Sequence, residues 1–157
     1  MKSPEKKTSA ARKSSDSFLV PPLIRPPAVS TRRRTGFTVA PDGVRLFFEV
    51  TGCPQPAPTV VLCDGLSCDG YIWKYLQWAL SERYRVIHFH YRGHGQSSLP
   101  LDLSRLKLSD FSRDALCVLD ACETESAVFI GHSMGVQVSL EAFNQSPARV
   151  AALVLIC

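Results

Sequence analysis

An apolar run of strand type, Val128-Phe-Ile130, passes directly into Gly131-His132-Ser133-Met134-Gly135, and a helical pattern follows at once. No other segment restricts the fold so tightly. A strand that turns into a helix this sharply puts one strained residue at the apex, and side chains flanking that apex would collide with the crossing backbone. Gly131 and Gly135 are the two positions without a side chain. The Ser133 hydroxyl is then thrust clear of the backbone, which is the geometry of a nucleophile.

The rest of the chain from Gly36 alternates in the same way. Phe37–Ala40 and Val44–Thr51 flank Pro41-Asp42-Gly43, a hairpin signal. Thr59–Cys63 and Tyr84–Phe89 are short, continuous apolar runs that fit buried strands. Between them, Tyr71–Ser81 has Ile72, Tyr75, Leu76 and Ala79 at helical spacing. Ser109 reads as an N-cap, and the helix after it sets Phe111, Ala115, Val118, Leu119 and Cys122 on one face. Strand Ala127–Ile130, helix Met134–Gln145 and strand Val150–Ile156 complete the pattern. Apolar strands linked by helices predict an α/β fold, a mostly parallel sheet covered on both faces with an antiparallel hairpin at its start. Val150–Ile156 has the composition of a central strand, yet no strand follows it, so it is expected at the edge, with a liability to self-association.

A length of 157 residues with 45% hydrophobic side chains suits one domain with a packed core. The formal net charge of +4 is unevenly spread: the first 36 residues carry +7, with Lys2, Lys6, Lys7, Arg12, Lys13, Arg25, Arg32, Arg33 and Arg34 against only Glu5 and Asp16, and the remainder carries −3. Rich in Ser, Lys and Pro, residues 1–35 read as a disordered basic tail, and residues 36–157 as the folded part. The run Arg32-Arg33-Arg34 fits either a solvated linker or contact with an anionic surface, and the linker is preferred. The tail lacks the apolar core of a secretory signal, and no run approaches the roughly 20 apolar residues of a membrane span. The six cysteines form no CxxC pair, which points to small buried hydrophobes in a reducing, cytoplasmic setting and not to disulfides or zinc.

Three motifs in order carry a resemblance to a known family. They are Asp64-Gly65-Leu66 leading to Trp73, the turn Tyr91-Arg92-Gly93-His94-Gly95-Gln96-Ser97, and the elbow Gly131–Gly135. Over about residues 36–157 the chain resembles the N-terminal half of the α/β-hydrolase fold superfamily, of the serine esterase/lipase type, incomplete at its C-terminal side. The resemblance implies that Ser133 attacks a carbonyl carbon, with the backbone N–H groups of Met134 and Leu66 as the oxyanion hole, each such donor contributing roughly 3–4 kcal/mol. It implies substrate contacts from Asp64, Gly65, Trp73 and His132, a small-molecule ester-type substrate, and neither cofactor, metal nor nucleic acid. A serine at the elbow, where dehalogenases and epoxide hydrolases carry aspartate, favours esters, thioesters and related carbonyl compounds.

Two positions depart from the family pattern. Asp64 stands where the oxyanion loop usually has histidine, and either brings a carboxylate to the oxyanion or turns away to accept local N–H bonds. His90 stands where an aspartate is common. The family's acid and histidine follow the serine in chain order. Of His88, His90, His94 and His132, only His94 lies on a loop at the ligand-binding end of such a sheet, and a turn-stabilising role suits it better. The expectation is a serine hydrolase that is inactive as this truncated chain. The alternative is a non-catalytic protein that binds a partner or ligand.

Overall fold

Two central strands buried along their whole length organise the molecule, which is seen here in a computed structural model describing residues 33–157. The chain runs β1 (Arg34–Val39), β2 (Arg45–Gly52), β3 (Thr59–Cys63), a 3₁₀ turn (Tyr71–Trp73) continuing into α1 (Lys74–Ser81), β4 (Arg85–Phe89), α2 (Leu108–Ala121), β5 (Ala127–His132), α3 (Met134–Gln145) and β6 (Val150–Ile156). The strands form one sheet in the order β1-β2-β4-β3-β5-β6. β1 with β2 and β2 with β4 are antiparallel, and the remaining pairs are parallel. The α/β fold with a mostly parallel sheet is therefore the one the sequence predicts.

The side-chain period of two divides the core between the sheet faces. Val61, Cys63, Ile87 and Phe89 pack with Ala115, Val118 and Leu119 of α2 and Val138 and Ala142 of α3. Val60, Leu62, Val86 and Ile130 pack with Trp73, Leu76 and Leu80 on the other face. Each large aliphatic chain so buried contributes about 1.5–3 kcal/mol. The helical face expected from Ile72, Tyr75 and Ala79 is corrected: those three are exposed, and Trp73 anchors the segment at 3% exposure. The 3₁₀ first turn advances three residues per turn, which rotates the buried stripe away from a 3.6-residue reading.

Other boundaries shift for local reasons. Ser109 lies inside α2, whose cap is Lys107, and its carbonyl accepts from Ser112 and Gln145. The first strand takes in Arg34 and Thr35, assigned above to the tail, because they pair with Val50 and Glu49. Arg33 is likewise engaged, 2.7 Å from the Glu49 carboxylate. The disordered-tail expectation for residues 1–32 lies outside the described residues.

A charged network ties the β1–β2 turn to the Arg-Gly turn and to α2. Arg92, 2% exposed, donates Nε and Nη2 to the two oxygens of Asp114, at 2.7 and 2.6 Å. Its Nη1 reaches Asp42 at 2.8 Å. Such a fork satisfies planar guanidinium and carboxylate together. Arg85, buried at the start of β4, caps α2 by donating to the Cys122 carbonyl and the Thr124 hydroxyl, with its charge at the negative end of the helix dipole.

The Asp42 contact predicts an acid response. Its hydrogen bond to Arg92 holds the carboxyl below the ordinary value of 3.8, so the stabilisation is complete above that pH and is lost as pH falls through the depressed value. Denaturant titrations of wild type and Asp42→Asn are expected to differ at pH 6 and to converge towards pH 2. A gap that stays constant or widens on acidification would contradict this origin.

All six cysteines are free, and burial pushes the Cys63 thiol up to about 12, as a small hydrophobe in the core requires. Strand β6 lies at the edge with Val154, Leu155 and Ile156 exposed, so successive side chains are open on both faces. Among the described residues no helix is long and apolar enough to cross a membrane.

Candidate active site

Ser133 occupies the single residue between β5 and α3. Its backbone stands at φ 54° and ψ −117°, a strained conformation for a residue with a side chain. The strain persists because both flanks are fixed. A side chain on Gly131 would run into the Gly135 carbonyl, and one on Gly135 into the Cys63 carbonyl, so the elbow closes only with hydrogen at both positions. On the far side, the Ser133 N–H donates to the Ile156 carbonyl of β6 at 3.0 Å.

A serine that precedes a helix ordinarily turns its hydroxyl back to cap the helix. Ser133 makes no such bond, because its backbone is not in the extended conformation that capping needs. The side chain is exposed. Its hydroxyl therefore stands at the N-terminal, positive end of a 12-residue helix and faces solvent.

The loop after β3 lies against this serine. A Cβ built on Gly65 would sit 3.4 Å from Ser133 Cβ and 3.1 Å from His132 Nδ1. Leu66, the next residue, is 66% exposed. The amides of Leu66 and Met134, expected to face an oxyanion, are bonded to no other group among the described residues.

Four residues named as substrate contacts are placed differently. Gly65 is buried, in contact with the elbow. His132 ends β5, half-buried, with its ring 6.4 Å from Trp73 and perpendicular to it. Asp64 and Trp73 are buried, 1% and 3% exposed, behind the loop. The Asp64 carboxylate does not gather backbone N–H groups, one of the two arrangements expected of it; Oδ2 lies 2.9 Å from His88 Nε2, and Oδ1 is buried without a partner among the described residues.

His90 and His94 are likewise committed, whereas His132 Nδ1 is buried with no partner among the described residues. His90 Nδ1 accepts the Gln96 N–H at 2.9 Å, and burial followed by the nearby His88 lowers its pKa. His94 Nδ1 donates to the Arg92 carbonyl at 3.1 Å. None of the chain's four histidines is hydrogen-bonded to Ser133. The Asp64–His88 pairing is absent from the sequence reading. Its one signal was the spacing of His88 and His90 on the same side of an otherwise apolar strand.

Comparison with known proteins bears on the family. Residues 58–157 match the family model described as alpha/beta hydrolase fold. A protein named putative carbamate hydrolase RutD, from Variovorax paradoxus (strain S110), is 38% identical over 112 residues, which cover 71% of this chain and 41% of that protein. The 3-oxoadipate enol-lactonase 1 of Acinetobacter baylyi is 37% identical over 94 residues, covering 60% of this chain and 34% of the enzyme. The crystal structure of epoxide hydrolase A from Mycobacterium thermoresistibile superimposes with a TM-score of 0.70 at 32% identity, over 80% of this chain and 39% of that one. The chain thus spans well under half the length of these relatives. An elbow that tolerates only glycine on its flanks, a loop pressed against its serine and a matching family model that spans the four parallel strands β3 to β6 lead to one assignment: the chain belongs to the α/β-hydrolase fold family.

Proposed function

We propose that Ser133 is the nucleophile of a serine hydrolase acting on a carboxylic ester or related carbonyl substrate, with the Leu66 and Met134 amides as oxyanion donors. The observation that carries the reading is the Ser133 hydroxyl, held out of its usual capping bond by a strained backbone at the head of α3. A hydroxyl attacks a carbonyl carbon once a base removes its proton, and the resulting alkoxide charge falls on the two amides. The lactonase and carbamate hydrolase names among the relatives support a carbonyl substrate. His88, His90 and His94 are engaged elsewhere and His132 makes no hydrogen bond to Ser133, so we assign the triad's acid and base to a source outside these 157 residues.

An activated-ester assay tests this directly. With p-nitrophenyl acetate, the chain is expected to show negligible turnover, and added imidazole, serving as external base, should produce an acetyl group on Ser133 detectable by intact mass. Ser133→Ala should remove that adduct. Ser133-dependent turnover at ordinary enzyme rates without imidazole would contradict the external base, and acetylation that survives Ser133→Ala would contradict the nucleophile.

A second reading is favoured by the exposure of β6. A protein that associates through this edge, with itself or a partner, would use the open backbone groups of an apolar strand. Sedimentation of wild type and Val154→Lys separates the two: concentration-dependent association lost in the variant supports it, and a wild type that is monomeric at all concentrations dismisses self-pairing.

A further inference from the structure

Asp64 is anchored from both faces of the sheet. On one face its Oδ2 meets His88 Nε2 at 2.9 Å, with the two side chains 1% and 3% exposed. On the other, the Tyr91 hydroxyl, whose ring belongs to the core beneath α2, donates to the Asp64 main-chain carbonyl at 3.1 Å. The first contact fixes where the side chain lies and the second fixes the plane of the Asp64–Gly65 peptide. Together they set the direction in which the chain leaves β3 towards Leu66.

His88 also holds the far end of the same loop. A Cβ built on Gly70 would stand 2.5 Å from His88 Cε1, so the ring lies directly against that backbone. One imidazole thus touches residues 64 and 70, the two ends of the segment that carries the Leu66 amide. Glu49, opposite His88 across the β2–β4 pair, does not compete for it: its carboxylate is bonded to Arg33 and Gln77. The second oxygen of Asp64, Oδ1, is buried with no partner among the described residues, so His88 is the one side chain there bonded to this carboxyl.

We infer that the Asp64–His88 pair positions the Leu66 amide beside Ser133, making both of them, with Tyr91, positioning residues for the acyl-transfer site. This rests on the reading of Ser133 given above. The pair touches no reacting atom and acts through the loop it clamps.

Amide hydrogen exchange and binding of phenylboronic acid, which forms a tetrahedral adduct with a serine hydroxyl, test it on the 157-residue chain. Asp64→Ala and His88→Ala should each speed exchange at Gly65 and Leu66 and weaken the adduct by about tenfold, the effect of losing one buried hydrogen bond, while amides of α2 keep their protection. The double variant should be no worse than the poorer single, as coupled partners require. Asp64→Asn, which keeps an oxygen for His88, should stay within about threefold of wild type, and Tyr91→Phe, a milder change, should loosen the same two amides. Unchanged exchange at Leu66, additive effects in the double variant, or faster exchange with undiminished boronate affinity would each overturn the inference. A wild type that forms no Ser133-dependent adduct would instead refute the nucleophile reading, and the exchange data would still decide whether the pair holds the loop.

Discussion

Replacing Arg92 with methionine is expected to destabilise the protein by about 3–5 kcal/mol, the usual consequence of leaving a buried charge without its partner. Asp114 is fully buried, and burial alone pushes its carboxyl up; the hydrogen bonds from Arg92 are the main opposing influence. The two carboxylates in turn raise the Arg92 pKa further above its ordinary value. A domain of this size has about 5–15 kcal/mol in total, so the loss would bring it close to unfolding. Denaturant midpoints measure it. The double variant Arg92→Met with Asp114→Leu should recover much of the loss, because an apolar pair needs no compensation. A single variant within about 1 kcal/mol of wild type would show that the network is incidental.

Gly135→Ala is expected to cost about 3 kcal/mol or more, at the upper end of overpacking effects. The added methyl would meet the Cys63 carbonyl at the end of β3 and come close to that of Asp64 just beyond it, both main-chain atoms, and neither can move as a flexible side chain would. Relief requires α3 to lift from β3, which also displaces Ser133. Thermal melts and the imidazole-dependent acetylation should therefore fall together. A variant as stable as wild type would mean that the elbow is less tightly closed than its geometry indicates.

The elbow and the strand–helix alternation were legible because their causes are local. Glycine at 131 and 135, and the continuous apolar runs of β3 and β4, follow from sterics and burial within a few residues. Helix α3 and strand β6 begin and end where the pattern placed them. The misread face of α1 came from a 3₁₀ turn, which changes the period without any marker in composition. What the sequence did not disclose is pairing between distant polar groups. Asp64 with His88, and Arg92 with both Asp42 and Asp114, join residues on different elements, and each side chain looks ordinary where it stands. The substitution at position 64 was visible as an anomaly, but its partner on β4 became visible only once the strands were aligned.

The amide of Ser133 is bonded to the carbonyl of Ile156, a residue on the outermost strand. The apex of the turn and the rim of the sheet are therefore one mechanical unit. Fraying of β6 is expected to free the N–H that helps hold the apex in its strained shape. The exchange rate of that single amide doubles as a gauge of how long the hydroxyl remains aimed.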